Sequence, residues 1–141
     1  MARLEDYRLI TGKGKFTANI KPSKALVVKF LRTPIARGNI LSIDISIAKT
    51  LPGVVCIFTA EDMASDGITH MLDTSNPARD DGGIIVKPRR PILNSYEIKH
   101  LGEPVAMVIA ETTEQADDAI EAINFNYSDS DSAFLSGKDI D

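Results

Sequence analysis

Residues 100–127 read HLGEPVAMVIAETTEQADDAIEAINFNY, and this stretch decides the fold. Gly102 and Pro104 bracket a turn, and a proline suits a strand's first residue because its missing N–H is tolerated there. Val105 to Ala110 is an unbroken apolar run rich in branched side chains, the pattern of a strand covered on both faces. Val105, Val108 and Ile109 are therefore expected in the core. Thr112 and Gln115 stand three apart, so each side chain can satisfy the other's backbone N–H in a capping box. Ala116, Ala119, Ile120 and Ile123 then repeat at the spacing of one apolar helical stripe, with Glu114, Asp117, Asp118 and Glu121 on the wet side. Asn124 to Tyr127 alternates as a strand does. Strand, capped helix and strand make one compact unit, against which the other segments must pack.

Outward from this unit, Ala25–Leu31 (ALVVKFL) has the branched and aromatic content of a strand. Ile40–Ile47 alternates and would place Ile43, Ile45 and Ile47 on one face, although a helical turn could instead begin at Ser46. Pro52–Gly53 is a turn signal, Val54–Phe58 a third strand, and Thr59–Ala64 a brief capped helix with acids in its first turn. Residues 3–18 mix charges with Gly12 and Gly14 and are expected to form an extended lead-in with a turn at the glycines. Periodicity vanishes over residues 65–96, and a stretch that long in a compact domain is usually functional or mobile. Strands joined through helices imply an α/β or α+β domain over residues 1–127, with helices packed on a mixed sheet and one long irregular loop; residues 128–141 are polar and expected to be a flexible tail.

Composition narrows the function. The 141 residues suffice for a single core, and with 43% apolar content wholesale disorder is not expected. A net charge of −4 lacks the concentrated positive face that a general nucleic-acid binder needs. The lone Cys56 cannot form an internal disulfide, the charged start does not resemble a signal peptide, and no apolar run approaches a membrane span. These features predict a cytoplasmic chain that works without a membrane.

Candidate reactive groups are few. Gly12 and Gly14 with Lys13 and Lys15 do not complete a phosphate-loop pattern. His70, His100 and Cys56 stand at no metal-ligand spacing, Cys56 reads as a small core residue, and no GxSxG signature occurs. Lys87, Arg89 and Arg90 form a short basic cluster whose plain reading is a solvated loop. Glu103 lies in the turn after Gly102; without a partner to shift its pKa it reads as a turn brace or an interdomain contact rather than a general base. No catalytic, cofactor-binding or metal residue is expected.

Three motifs taken in order carry a resemblance: RLEDYRLITGKGKF at 3–16, RTPIARGNILSIDISIAKTLPGVVCIFTAEDM at 32–63, and LGEPVAMVIAETTEQADDAIEAINFNY at 101–127. Together they resemble the N-terminal α/β-hammerhead domain of the molybdenum hydroxylase large subunit, the family of xanthine dehydrogenase, aldehyde oxidase and aerobic carbon monoxide dehydrogenase. The chain has Ile35 and Arg37 where family members often show histidines, and SDSDSAF where a Pro-containing linker usually follows.

The resemblance implies a non-catalytic structural domain that supports a separate molybdenum-cofactor domain or subunit. Molybdopterin, iron–sulfur clusters and FAD are implied for the assembled oxidoreductase, on that domain and on neighbouring subunits, and none for this chain, which alone should be inactive. It further implies that the loop near Asp80, Ile84, Ile85 and Val86 contributes to a substrate channel or, like Gly102 and Glu103, to an interdomain contact. A different class of function is a stand-alone protein-interaction module that retains the fold without enzyme activity.

Overall fold

A computed structural model of the chain describes residues 3–20, 22–68, 70 and 90–131. Among these the elements run α1 (Asp6–Ile10), β1 (Val27–Arg32), β2 (Gly38–Asp44), β3 (Val54–Thr59), α2 (Ala60–Ser65), β4 (Glu97–Ile98), β5 (Pro104–Ala110), α3 (Thr113–Glu121) and β6 (Asn124–Asp129), with 3-10 turns at Thr17–Asn19 and Ala48–Thr50. They build an α+β architecture of two three-stranded sheets, β1-β5-β3 and β4-β2-β6, in which every pairing is antiparallel.

The apolar run Val105–Ala110 is the central strand, between β1 and β3; the expected cover on both faces is complete only on the α3 side, while Met107 and Ile109 on the other face are half-buried. Val105, Ala106, Val108 and Ala110 are all fully buried. On one face Ala106, Val108 and Ala110 meet Ala116, Ala119 and Ile123 of the α3 segment, together with Ile57 and Ala48. The small alanines let the helix lie close to the sheet, so dispersion contacts replace the water that both surfaces lose. Val105 belongs to a second cluster with Ile40 and Ile98, joined to the first through Leu31, Ile43 and Phe125.

The capping box forms as the spacing predicts. The Thr112 hydroxyl accepts from the Gln115 N–H at 3.3 Å, and Gln115 Oε1 accepts from the Thr112 N–H at 3.0 Å. The Pro52–Gly53 turn seats against this cap: Gly53 has a φ of +77°, its carbonyl accepts from the Glu111 N–H at 2.9 Å, and a Cβ there would overlap the Gln115 amide. A Cβ at Gly38 would likewise overlap the Ser128 carbonyl, so a bare backbone lets β2 and β6 approach. Across the sheet–helix seam, Lys29 of β1 pairs with Asp117 of α3.

Five expectations change. The single mixed sheet becomes two antiparallel sheets, and β5 and β6, though joined by α3, lie in different ones. Both ladder sides of β5 are already taken by β1 and β3, so β6 pairs with β2 instead. The lead-in contains a helix, α1, because Asp6 Oδ2 accepts from the Arg3 N–H at 2.8 Å and the Thr11 hydroxyl donates to the Tyr7 carbonyl at 2.6 Å. Such local side-chain bonds flank a helix too short to show a period. The Ile40–Ile47 alternation stops at Asp44, whose Oδ1 accepts from the Ser46 N–H and hydroxyl at 2.9 and 2.6 Å and turns the chain. Ile47 is left exposed, and the 3-10 turn follows it. Ile109 is half-buried, because it shares the outer face of its sheet with Val28 and Met107. Beyond the expected domain end at Tyr127, β6 continues to Asp129.

α2 is capped by Asp62, whose Oδ2 accepts from the Thr59 N–H at 2.7 Å and the Thr59 hydroxyl at 2.8 Å. The backbone bond first, and the hydroxyl second, hold the Asp62 carboxyl below the ordinary aspartate range. Asp44 is lowered by the Ser46 hydroxyl and N–H, and Glu114 by its own N–H and the Thr112 hydroxyl.

Two outcomes follow. Val108→Ala should lose about 2 kcal/mol in urea denaturation, the scale of a core truncation, and Ile109→Ala distinctly less; equal losses would contradict this assignment of faces. A carboxyl whose folded pKa is depressed stabilises fully above its unfolded value, and that contribution vanishes as pH falls through the folded one. Asp62→Asn should therefore lower the urea midpoint near neutrality and flatten part of its decline below about pH 4, converging on the wild type in acid.

Candidate functional site

Three polar side chains are buried among the described residues: Thr33, Asn94 and Glu103. Thr33 follows β1, Asn94 precedes β4, and Glu103 immediately precedes β5, so the fold gathers them at one end of the two sheets. Glu103 Oε2 accepts from Asn94 Nδ2 at 2.9 Å and from the Lys99 N–H at 3.0 Å. Its Oε1 lies 3.7 Å from His100 Nδ1. The Thr33 hydroxyl accepts from the Glu103 N–H at 3.0 Å and donates to the His100 carbonyl at 3.1 Å. The backbones are tied as well, by Thr33 N–H to the Glu103 carbonyl and Gly102 N–H to the Thr33 carbonyl, both at 2.9 Å. Asn94 Nδ2 also donates to the Glu97 carbonyl at 2.7 Å, while Asn94 Oδ1 accepts from the Tyr96 N–H at 3.1 Å.

Gly102 turns with a φ of +79°, and its carbonyl accepts from Arg32 Nη1 at 2.8 Å. The same guanidinium lies over the Phe30 ring, 5.6 Å from its centroid. Every buried side-chain nitrogen and oxygen among the described residues has a partner. The hydrogen bonds of Glu103 are spent on anchoring the 99–104 turn, which is what a buried carboxylate needs to offset its desolvation.

Beside this cluster opens a cleft of about 660 Å³, whose lining includes Arg90, Tyr96, Lys99, His100 and Glu103. Of the sequence-predicted site residues, the structure brings Gly102 and Glu103 together with Arg90, from the basic cluster, at this cleft end of the domain. Asp80, Ile84, Ile85, Val86, Lys87 and Arg89 lie outside the described residues. Gly12 and Gly14 follow the end of α1 and precede only a 3-10 turn, so no helix N-terminus faces that glycine loop. Cys56 sits half-buried in β3, and among the described residues no three His, Cys, Asp or Glu side chains group as metal ligands.

Thr33 and Asn94 were not evident from the sequence. Asn94 carries a local signal, the Asx turn onto Tyr96. Thr33 has none, since Glu103 is 70 residues away.

The outer face of the β1-β5-β3 sheet is the other notable surface. Strand register places Val28 and Phe30 beside Ile109 and Met107, with Cys56 and Phe58 next in line. Val28 is 48% exposed and Phe30 37% exposed, and the others are half-buried.

This fold and this closed polar brace define an α+β domain with two antiparallel sheets and an apolar outer face. The family model for the aldehyde oxidase and xanthine dehydrogenase a/b hammerhead domain matches residues 11–131, and the chain belongs to that family. It is 31% identical over 121 residues to the nicotine 6-hydroxylase large subunit of Paenarthrobacter nicotinovorans, covering 86% of this chain and 14% of that protein. To the xanthine dehydrogenase molybdenum-binding subunit of Escherichia coli O157:H7 it is 27% identical over 130 residues, covering 89% of this chain and 16% of that one. The crystal structure of the aldehyde oxidoreductase from Desulfovibrio desulfuricans ATCC 27774 superposes with a TM-score of 0.71 at 26% identity, over 97% of this chain and 15% of that one. The chain thus spans 14–16% of the length of these relatives.

Asn94→Ala would leave Glu103 Oε2 one donor short in a buried site. Chemical denaturation should show a loss of about 1–3 kcal/mol, the penalty for an unsatisfied buried polar group, and a loss below that range would mean that the brace is dispensable.

Proposed function

We propose that this chain is a non-catalytic scaffold of a molybdenum hydroxylase, packing against the molybdenum-cofactor region of the large subunit and holding it in place. The observation that carries this reading is the pairing of an uncovered apolar sheet face with a buried polar cluster that is fully bonded within itself. Val28 and Phe30 offer surface to a neighbour, whereas Glu103 and Asn94 have their bonding committed to the turn. Relatives named as a hydroxylase large subunit and a molybdenum-binding subunit support the same assignment.

In the assembled enzyme the chemistry belongs to molybdopterin, with iron–sulfur and flavin groups carrying electrons on other domains or subunits. This chain supplies shape: β5 and α3 form the rigid body, the brace sets the angle of the 99–104 turn, and the cleft beside it faces the neighbouring region. Residues Asp80, Ile84, Ile85 and Val86 belong to the segment we assign to that contact or to the substrate's approach. No helix among the described residues is long and apolar enough to cross a membrane, in keeping with assembly in the cytoplasm.

The test is to purify the full chain alone and also from its source cell. The isolated chain should show no hydroxylase turnover and bind no pterin. Material from the source cell should carry molybdenum in stoichiometric amount, together with molybdopterin-binding sequence. Turnover by the isolated chain, or metal-free material from the cell, would refute the reading.

A further inference from the structure

Residues 3–17, 19 and 20 stand apart from the folded body, and none of them is buried. No residue of α1 is buried. Leu4, Tyr7 and Ile10 stand three apart, and Leu4 is fully exposed, Tyr7 is 70% and Ile10 80% exposed. Phe16 and Ile20 continue the series of exposed large apolar side chains. A helix of one turn and a half, held only by local bonds, is marginal in water and gains from an apolar seat. The family match begins at residue 11, which leaves α1 outside the hammerhead domain proper. Yet the superposition on the aldehyde oxidoreductase takes in 97% of this chain, too much to omit this segment, and that protein has far more chain besides.

From these observations we infer that residues 4–20 are a docking arm, whose Leu4–Tyr7–Ile10 stripe and Phe16 seat on the molybdenum-binding remainder of the large subunit. The inference rests on the scaffold reading above and adds a second, separate attachment to the sheet face. Occupancy by that remainder accounts for two facts together: an apolar stripe lying outside the domain that it precedes, and relatives of which this domain is about a seventh. Charge defines the seat further. Arg3, Arg8, Lys13 and Lys15 against Glu5 and Asp6 give residues 3–20 a surplus of two positive charges, on a chain whose total is −4. The seat is therefore an apolar groove with an acidic rim.

Photo-crosslinking in the source cell tests this. Benzoylphenylalanine is placed at Tyr7, Ile10 or Phe16 of the full chain, and the adducts are sequenced by mass spectrometry. Adducts on the molybdenum-binding region are expected. In parallel, the double variant Tyr7→Asp, Ile10→Asp should keep the melting temperature of the isolated chain while copurified molybdenum falls at least about tenfold, a loss that each tenfold step in affinity would give. Adducts confined to residues 22–131 of the same chain would overturn the inference. So would adducts on a second copy, recognised by mixing isotope-labelled and unlabelled chains, or molybdenum copurification unaffected by the double variant. If wild-type chain brings no molybdenum, the scaffold reading itself has failed and the arm falls with it; if it does and the arm alone is silent, only the arm is wrong.

Discussion

The close seating of α3 on β5 is the constraint from which the rest of the architecture follows. Ala116 and Ala119 press on Ala106, Val108 and Ala110, and small side chains on both sides let two backbones approach with little void between them. β5 is the central strand of its sheet, and β1 and β3 occupy its two sides. That occupation sends β6 to the other sheet, and the second half of the fold is built around the strand that receives it. Gly53, under the cap of α3, and the Lys29–Asp117 pair hold the helix in register over the same strand.

The polar brace does for the sheet ends what the alanines do for the middle. Thr33 closes β1 in one sheet, Asn94 holds the approach to β4 in the other, and Glu103 opens β5. A bonded carboxylate at their junction couples the two sheets, at a place where apolar packing alone would leave the relative angle loosely specified. A platform of this kind suits a domain that supports a neighbour, since a surface can position something else only if it does not itself deform. The turn that bears Gly102 and His100 is the part of the platform next to the cleft, and every bond of Glu103 restrains it.

Membership in the hammerhead family places this platform among proteins about seven times its length. In the scaffold reading we propose, the apolar outer sheet face and the unburied N-terminal helix are both surfaces for a neighbouring region.

The sequence alone determined the local elements. Val105–Ala110 read as a strand, Thr112 with Gln115 as a helix cap, Ala116 and Ala119 as the buried stripe, and Pro52–Gly53 as a turn, because each is set by neighbours within one or two turns of chain. The three ordered motifs were also enough to point to the family. Tertiary structure decided the rest. Two sheets instead of one follow from which ladder sides of β5 were already filled, a competition among strands that no window of residues displays. Ile109 looked as buried as Val108, and only the register with Val28 and Met107 turned it to the outer face. Thr33 and Glu103 form their bond across 70 residues, and such a pair has no local signature because its geometry exists only once the strands on either side have been placed.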